Sequence, residues 1–181
     1  ELLPESEWPE TNSCLSHLFY RAAKAAGRME HAVIMVDFIE TKNGFTILEM
    51  SPRAGGDCIP LLIQKSCGVS TVSIAVELAA GRLAKPQTLP VKQPYAACRL
   101  FAPRSGVLVS ENSARIKNVL PDSEVIMYRK SGDALNLDAN DYTEGLAGCV
   151  LYARTAAPEQ FAAQNKKILS LFNPVITSLE D

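Results

Sequence analysis

Two short runs of the chain are densely apolar, His31–Glu40 and Phe45–Met50, and they flank Lys42-Asn43-Gly44. β-branched and aromatic residues on both arms, with Gly in the connection, predict a β-hairpin. In the first arm Ala32, Ile34, Val36 and Phe38 alternate with Val33, Met35 and Ile39. Both faces are apolar, so this strand reads as buried on both sides. Upstream, Leu15, Leu18, Phe19, Ala22 and Ala26 recur at helical spacing, with Asn12 or Ser13 to cap the start and Gly27 the end. Downstream, Asp57 is placed to cap a short helix through Cys67, with Pro60 in its first turn and Gly68 at its end. Ser70 caps another helix through Ala80, stopped by Gly81, with Val72, Ala75, Val76 and Ala79 as its buried stripe.

The texture changes at Lys85–Pro94, where Pro86, Pro90 and Pro94 fall among few large apolar residues. This divides the chain into residues 1–85, a linker over 86–94, and residues 95–181. In the second part Tyr95–Phe101, Gly106–Val109, Glu124–Tyr128 and Cys149–Arg154 read as short strands separated by Gly- or Asp-bearing turns. A last helix, Pro158–Leu171, brings Phe161, Ile168, Leu169 and the following Phe172, which need a partner surface. The class is α+β, with antiparallel strands.

Composition narrows the functions. An apolar share of 47% in 181 residues supports a real core in one or two small domains. A net charge of −2 offers no basic excess for nucleic acid and no polybasic run for a membrane surface. No apolar run approaches the ~20 residues that span a bilayer. The N-terminus is acidic, holds Pro4 and Pro9, and lacks a signal-peptide pattern. The absence of an initial Met points to a piece of a longer protein. Cys14, Cys58, Cys67, Cys98 and Cys149 are odd in number and none is spaced C-x-x-C, so buried thiols in a reducing cytosol are expected. The histidines are His17 and His31, too little material for a Cys-His or Ser-His-Asp arrangement.

Asp37 and Glu49 lie inside the two hairpin arms, and register decides their meaning. A two-residue Asn43-Gly44 loop pairs Phe38 with Glu49 and puts Asp37 on the other face. A three-residue loop, Lys42 to Gly44 with Gly44 left-handed, pairs Thr41 with Phe45 and sets Asp37 across from Glu49. Opposed residues have Cβ atoms about 4.5–5.5 Å apart, where like charges repel. Two such carboxylates call for a shared proton or a hard cation such as Mg²⁺. The alternative is that each escapes to the sheet edge. Arg53 follows, a planar fork suited to phosphate or carboxylate, and Gly55 and Gly56 allow close backbone approach. A helix starting beyond them aims its positive end at an anion.

Asp37, Glu49, Ser51 and Arg53, followed by Gly55-Gly56, resemble the magnesium-binding end of an ATP-grasp enzyme. That family's pattern is an acid on one strand, a hairpin, then Glu-x-Asn-x-Arg. Ser51 departs from it by standing at the Asn position. The second half resembles the small antiparallel domain after the ATP-grasp domain in carboxylases and L-amino-acid-ligase-like proteins. Arg99-Leu100-Phe101-Ala102-Pro103, Gly106, the Lys130-Ser131-Gly132-Asp133 turn and Gly148–Arg154 carry that likeness. The resemblance covers residues 30 to 175, the latter part of a complete enzyme. It implies a missing N-terminal part that bears the nucleotide-binding lysines and the lid.

The resemblance implies an ATP- and Mg²⁺-dependent ligase, with Mn²⁺ able to substitute, that joins small-molecule carboxylates and amines through an acyl phosphate. Asp37, Glu49 and Ser51 would hold the metal. Arg53 would stabilise the transferred charge and, with Gly55 and Gly56, contact the nucleotide. The family alternatives are a biotin-carboxylase-like or purine-biosynthesis carboxylase acting on bicarbonate. A non-catalytic binding or assembly module with the same fold is the alternative of another class. A cytoplasmic setting and a homodimer fit the resemblance, and the fragment alone is expected to be inactive.

Overall fold

The computed structural model describes residues 17–22, 24–25, 27, 33–42, 44–82, 90–154 and 158–178. The chain forms two compact units, residues 1–92 and 93–181. Residues 83–89 of the proline-bearing stretch lie outside the described residues, and residues 90–94 have no regular secondary structure.

In the first unit, helix α1 runs over residues 17–22 and 24–25. The expected caps Asn12 and Ser13, and Leu15 and Ala26 of its stripe, fall outside the described residues. Strands β1 (Met35–Thr41) and β2 (Gly44–Ser51) form an antiparallel hairpin. Phe38 meets Phe45 edge-on, with ring centroids 5.5 Å apart, and Phe19 of α1 lies 6.4 Å from Phe38 on the same side. The expectation of a first arm buried on both faces does not hold: Phe38 is 37% and Ile39, on the opposite face, 48% exposed. Alternation shows which residues share a face. It does not show whether anything covers that face.

Helix α2 (Ile59–Cys67) has Pro60 in its first turn, where no amide hydrogen is needed, and ends on left-handed Gly68, whose N–H donates to the Gln64 carbonyl. Asp57 is not its cap. It sits at φ +56, Cys58 occupies the cap position without a side-chain bond to the helix amides, and the Cys58 thiol donates instead to Asp57 Oδ1 at 3.1 Å. In α3 (Thr71–Ala79), Ser70 accepts the Ser73 N–H at 3.2 Å, the bond an N-cap makes. Of its expected stripe only Ala75 is half-buried, with Ile74 and Leu78, while Val72, Val76 and Ala79 are exposed. A helix reading TVSIAVELA is apolar nearly all round, so its sequence does not choose the buried side. No single described helix is long and apolar enough to cross a membrane.

The second unit is built on two three-stranded antiparallel sheets. One is ordered β3 (Tyr95–Phe101), β7 (Leu146–Ala153), β5 (Glu124–Met127). The other is ordered β6 (Ala134–Leu135), β4 (Gly106–Ser110), β8 (Val175–Thr177). Strand β7 is buried along nearly its whole length because it is flanked on both edges and covered on both faces, which explains its unbroken apolar run. Helix α5 (Pro158–Leu171) packs on β3, and the short α4 (Ala114–Val119) packs on α5 and β5. The final helix thus finds its partner within its own unit: Ile168 and Phe172 join Leu100, Leu108, Ile116, Val150 and Ile176 in one core, with Phe161 packed against it, whereas Leu169 is 48% exposed. Gly106, at φ +148, lies where a Cβ would press on the Thr177 carbonyl and Ile176, so the β4–β8 contact requires glycine.

Candidate functional site

The hairpin ladder pairs Thr41 with Gly44, Glu40 with Phe45, Ile39 with Thr46 and Phe38 with Ile47. Two residues therefore make the loop, one position earlier than the Asn43-Gly44 loop considered from sequence, and Gly44 takes φ +109 at the start of β2. Continued unchanged, this register would set Asp37 against Leu48 and Glu49 against Val36, on opposite faces. A bulge intervenes between Asp37 and Phe38, where the ladder shifts and Leu48 becomes the extra residue. Asp37 then pairs with Glu49, Val36 with Met50, and Met35 with Ser51. The carboxylates are opposed, as the three-residue loop would have made them, but a bulge achieves it.

Because pairs in register share a face and alternate residues return to it, Met35, Asp37, Glu49 and Ser51 line one side of the hairpin. The Phe19–Phe38–Phe45 cluster occupies the other side. Ser51 Oγ donates to Glu49 Oε1 at 2.8 Å, which fixes one carboxylate oxygen and leaves Oε2 for other donors or a cation. Asp37 and Glu49 are both exposed.

Arg53 comes back to the same side. The Arg53 N–H donates to the Ser51 carbonyl at 2.8 Å, a tight turn that directs the side chain toward the strand pair. Its Nη1 donates to the Ala54 carbonyl at 3.1 Å and reaches Met35 Sδ at 3.9 Å. The two glycines differ in role. A Cβ on Gly55 would lie 3.1 Å from Ile59 Cγ2, so Gly55 lets the loop seat on α2. At Gly56 the nearest atom to such a Cβ is Arg53 Nη1, at 3.8 Å, so Gly56 leaves the space beside the guanidinium open.

The structure thus brings Asp37, Glu49, Ser51 and Arg53 to one face and sets Gly56 beside Arg53. Sequence reading missed Met35 as the surface under Arg53, though its place two residues before Asp37 puts it on that face. It also missed Leu48 as the bulge, for which no local signal exists. Among the described residues no three His, Cys, Asp or Glu side chains converge as a metal cage. The protein donors are two hard carboxylates and a hydroxyl, a set that suits Mg²⁺ completed by ligand oxygens and waters.

No protein-family model matches the sequence, and no curated protein matches it. Solved structures do. An L-amino acid ligase from Bacillus licheniformis superposes with a TM-score of 0.73 at 14% identity, over 98% of this chain and 43% of that one. A phosphoribosylglycinamide synthetase from Anaerococcus prevotii gives 0.68 at 18% identity, over 98% and 44%. A single-chain, multi-domain long-chain acyl-CoA carboxylase gives 0.60 at 16% identity, over 93% and 19%. All three are ATP-grasp enzymes, and this chain has the fold that they show over the matched span. It spans less than half the length of each of them.

Proposed function

We propose, from an ATP-grasp fold with two opposed carboxylates and an arginine on one hairpin face, that this chain forms the metal- and phosphate-binding part of an ATP-dependent ligase. The parent enzyme, in this reading cytoplasmic and larger than this chain, joins a small carboxylate to an amine. The observation that supports it most is the Asp37–Glu49 opposition, because a bulge is needed to create it and two like charges so placed destabilise the bare hairpin.

Asp37 and Glu49 would hold Mg²⁺ or Mn²⁺, with Ser51 orienting Glu49 and available as a further oxygen donor. Bound ATP would supply the phosphoryl group that activates the substrate carboxylate as an acyl phosphate, with ADP leaving, and an amine attacking the acyl carbon would then expel phosphate to give the amide. Arg53, held over Met35, would offset negative charge on the transferred group. Gly55 and Gly56 let the loop backbone approach the phosphates without a side chain in the way. A second reading, phosphorylation of bicarbonate, draws on the likeness to the acyl-CoA carboxylase.

The test is phosphate release from ATP by the protein that contains this chain, measured with carboxylate and amine mixtures and with bicarbonate. The ligase reading expects release only when both carboxylate and amine are present, with Asp37→Asn and Glu49→Gln each lowering the rate by roughly 10²-fold or more. Release driven by bicarbonate alone would move the assignment to the second reading. Unchanged rates in both variants would end the catalytic role of the hairpin.

A further inference from the structure

We propose that Met35 is a positioning residue for Arg53, a role in turnover that rests on the function proposed above for the hairpin face. Met35 holds the guanidinium one step away from the opposed carboxylates. Cation and arginine then have separate places on one face.

An arginine beside two acids is drawn onto them, because charge and the match between a planar fork and a carboxylate both favour the pair. Asp37 and Glu49 are exposed and share their face with Met35 and Ser51. Met35 comes one step before Asp37 on that face, about 7 Å along the strand. The tip of Arg53 lies at Met35, within a short swing of both acids. Arg53 nonetheless forms no ion pair among the described residues. An Arg53–carboxylate pair would fill the place that the proposed function gives to the metal.

Three contacts hold Arg53 in its place. The Arg53 N–H donates to the Ser51 carbonyl at 2.8 Å, and Ser51 is the ladder partner of Met35. At the far end Nη1 donates to the Ala54 carbonyl at 3.1 Å and to Met35 Sδ at 3.9 Å. Ala54 belongs to the same loop as Arg53, so Met35 is what ties the tip to β1. A guanidinium has five N–H donors, and the three on Nε and Nη2 stay unengaged among the described residues. They form one edge of the fork, suited to two oxygens of an anion. An unbranched, polarizable thioether fits a half-buried place under that cation. It is a weak acceptor, so it biases the position of Arg53 without neutralising the charge, as an acid there would.

The hold on Arg53 is read by NMR on the 181-residue chain labelled with ¹⁵N-arginine, the Arg53 Nε–H signal being identified by its loss in Arg53→Lys. In the wild type, Asp37→Asn and Glu49→Gln are expected to leave that signal nearly in place. In Met35→Leu, similar in size but without the acceptor, the fork is expected to turn onto the carboxylates, so that the same two substitutions now move the signal. Met35→Gln, which offers a carbonyl at similar reach, is expected to behave as the wild type. A packing role predicts the opposite order, with Met35→Leu like the wild type and Met35→Gln altered and lower in thermal midpoint. That order overturns the proposal, as does a wild-type signal that already follows Asp37→Asn. In the proposed ligase that contains this chain, Met35→Leu should raise the Mg²⁺ concentration for half-maximal rate about threefold, the scale of an exposed ion pair that the metal must displace. Met35→Gln should not raise it, and an unchanged requirement in Met35→Leu overturns the proposal too. Absence of ATP turnover in the wild type would count against the proposed function, while the Arg53 signal still decides the role of Met35.

Discussion

Ser51 holds Glu49: the Ser51 hydroxyl lies 2.8 Å from Glu49 Oε1, two residues away on the same strand face. A hydrogen bond to a charged group contributes roughly 1.5–3 kcal/mol, less where water competes, as it does here. Its use is orientation, since it fixes one oxygen of the carboxylate that stands opposed to Asp37. In the proposed ATP-dependent ligase that contains this chain, Ser51→Ala is therefore expected to raise the Mg²⁺ concentration needed for half-maximal rate about threefold to tenfold, the equivalent of ~0.7–1.4 kcal/mol. The rate at saturating Mg²⁺ should stay near normal. A large loss at saturating metal would show that Ser51 is a required ligand instead.

The bulge at Leu48 can be tested by crosslinking. Directly opposed strand residues have Cα separations and Cβ directions that a disulfide can close, whereas side chains on opposite faces point apart. The double variant Asp37→Cys/Glu49→Cys should form an intrahairpin disulfide on mild oxidation, mapped by mass spectrometry. Asp37→Cys/Leu48→Cys should not, because Leu48 is the unpaired residue. The reverse outcome would mean an unbulged ladder and separated carboxylates.

Arg53 touches Met35 Sδ and the adjacent Ala54 carbonyl and is exposed, so its removal leaves no buried charge behind. In the proposed ligase, Arg53→Ala is expected to cut ATP-dependent turnover roughly 10²-fold, the scale of losing one charge-stabilising donor, with little change in thermal midpoint. Arg53→Lys should not restore the rate, since a point charge does not reproduce a planar fork. A lowered midpoint with normal turnover would assign Arg53 to structure.

Two substitutions probe the core of the second unit. Gly106→Ala combines a strained backbone at φ +148 with a Cβ pressed against Thr177 and Ile176, and is expected to cost about 3 kcal/mol or more. Ile168→Ala empties a fully buried position and should cost about 2–5 kcal/mol. Urea unfolding followed on the second unit measures both. A loss below ~1 kcal/mol in either would contradict the packing described.

Burial, with the neighbouring Cys149, pushes the Cys98 thiol up to about 11, and burial pushes the Tyr152 hydroxyl up to about 12. Both groups are held in the neutral form when folded, while the unfolded chain releases their protons earlier. Their contribution to stability is thus intact below about pH 9 and is lost as pH rises through the folded values near 11 and 12. Denaturation midpoints should fall over that window, and Cys98→Ala should make the fall shallower. At pH 8 Cys98 should resist iodoacetamide while the protein is folded. Prompt labelling there would refute its burial.

Local chemistry settled much of this protein in advance. Alternation and a Gly-bearing connection located the hairpin, Ser70 and Gly68 marked helix ends, and helical spacing placed Pro158–Leu171 with Ile168 on its packed side. Each depends on residues within a turn or two of one another, and so is written in short stretches of sequence. The order Asp37, Glu49, Ser51, Arg53 made these residues candidates for one site through its resemblance to a family pattern, and the fold brings them to one hairpin face. The tertiary structure decided the rest. Whether Asp37 meets Glu49 depended on a bulge at Leu48, and no residue type there announces one. Strand β8 could not be read from its three residues, because its pairing with β4 is made across a long separation in sequence. The same holds for the exposure of Val72 and Val76. A strand's register and a side chain's cover are set by whatever packs against them, and that is a property of the whole fold.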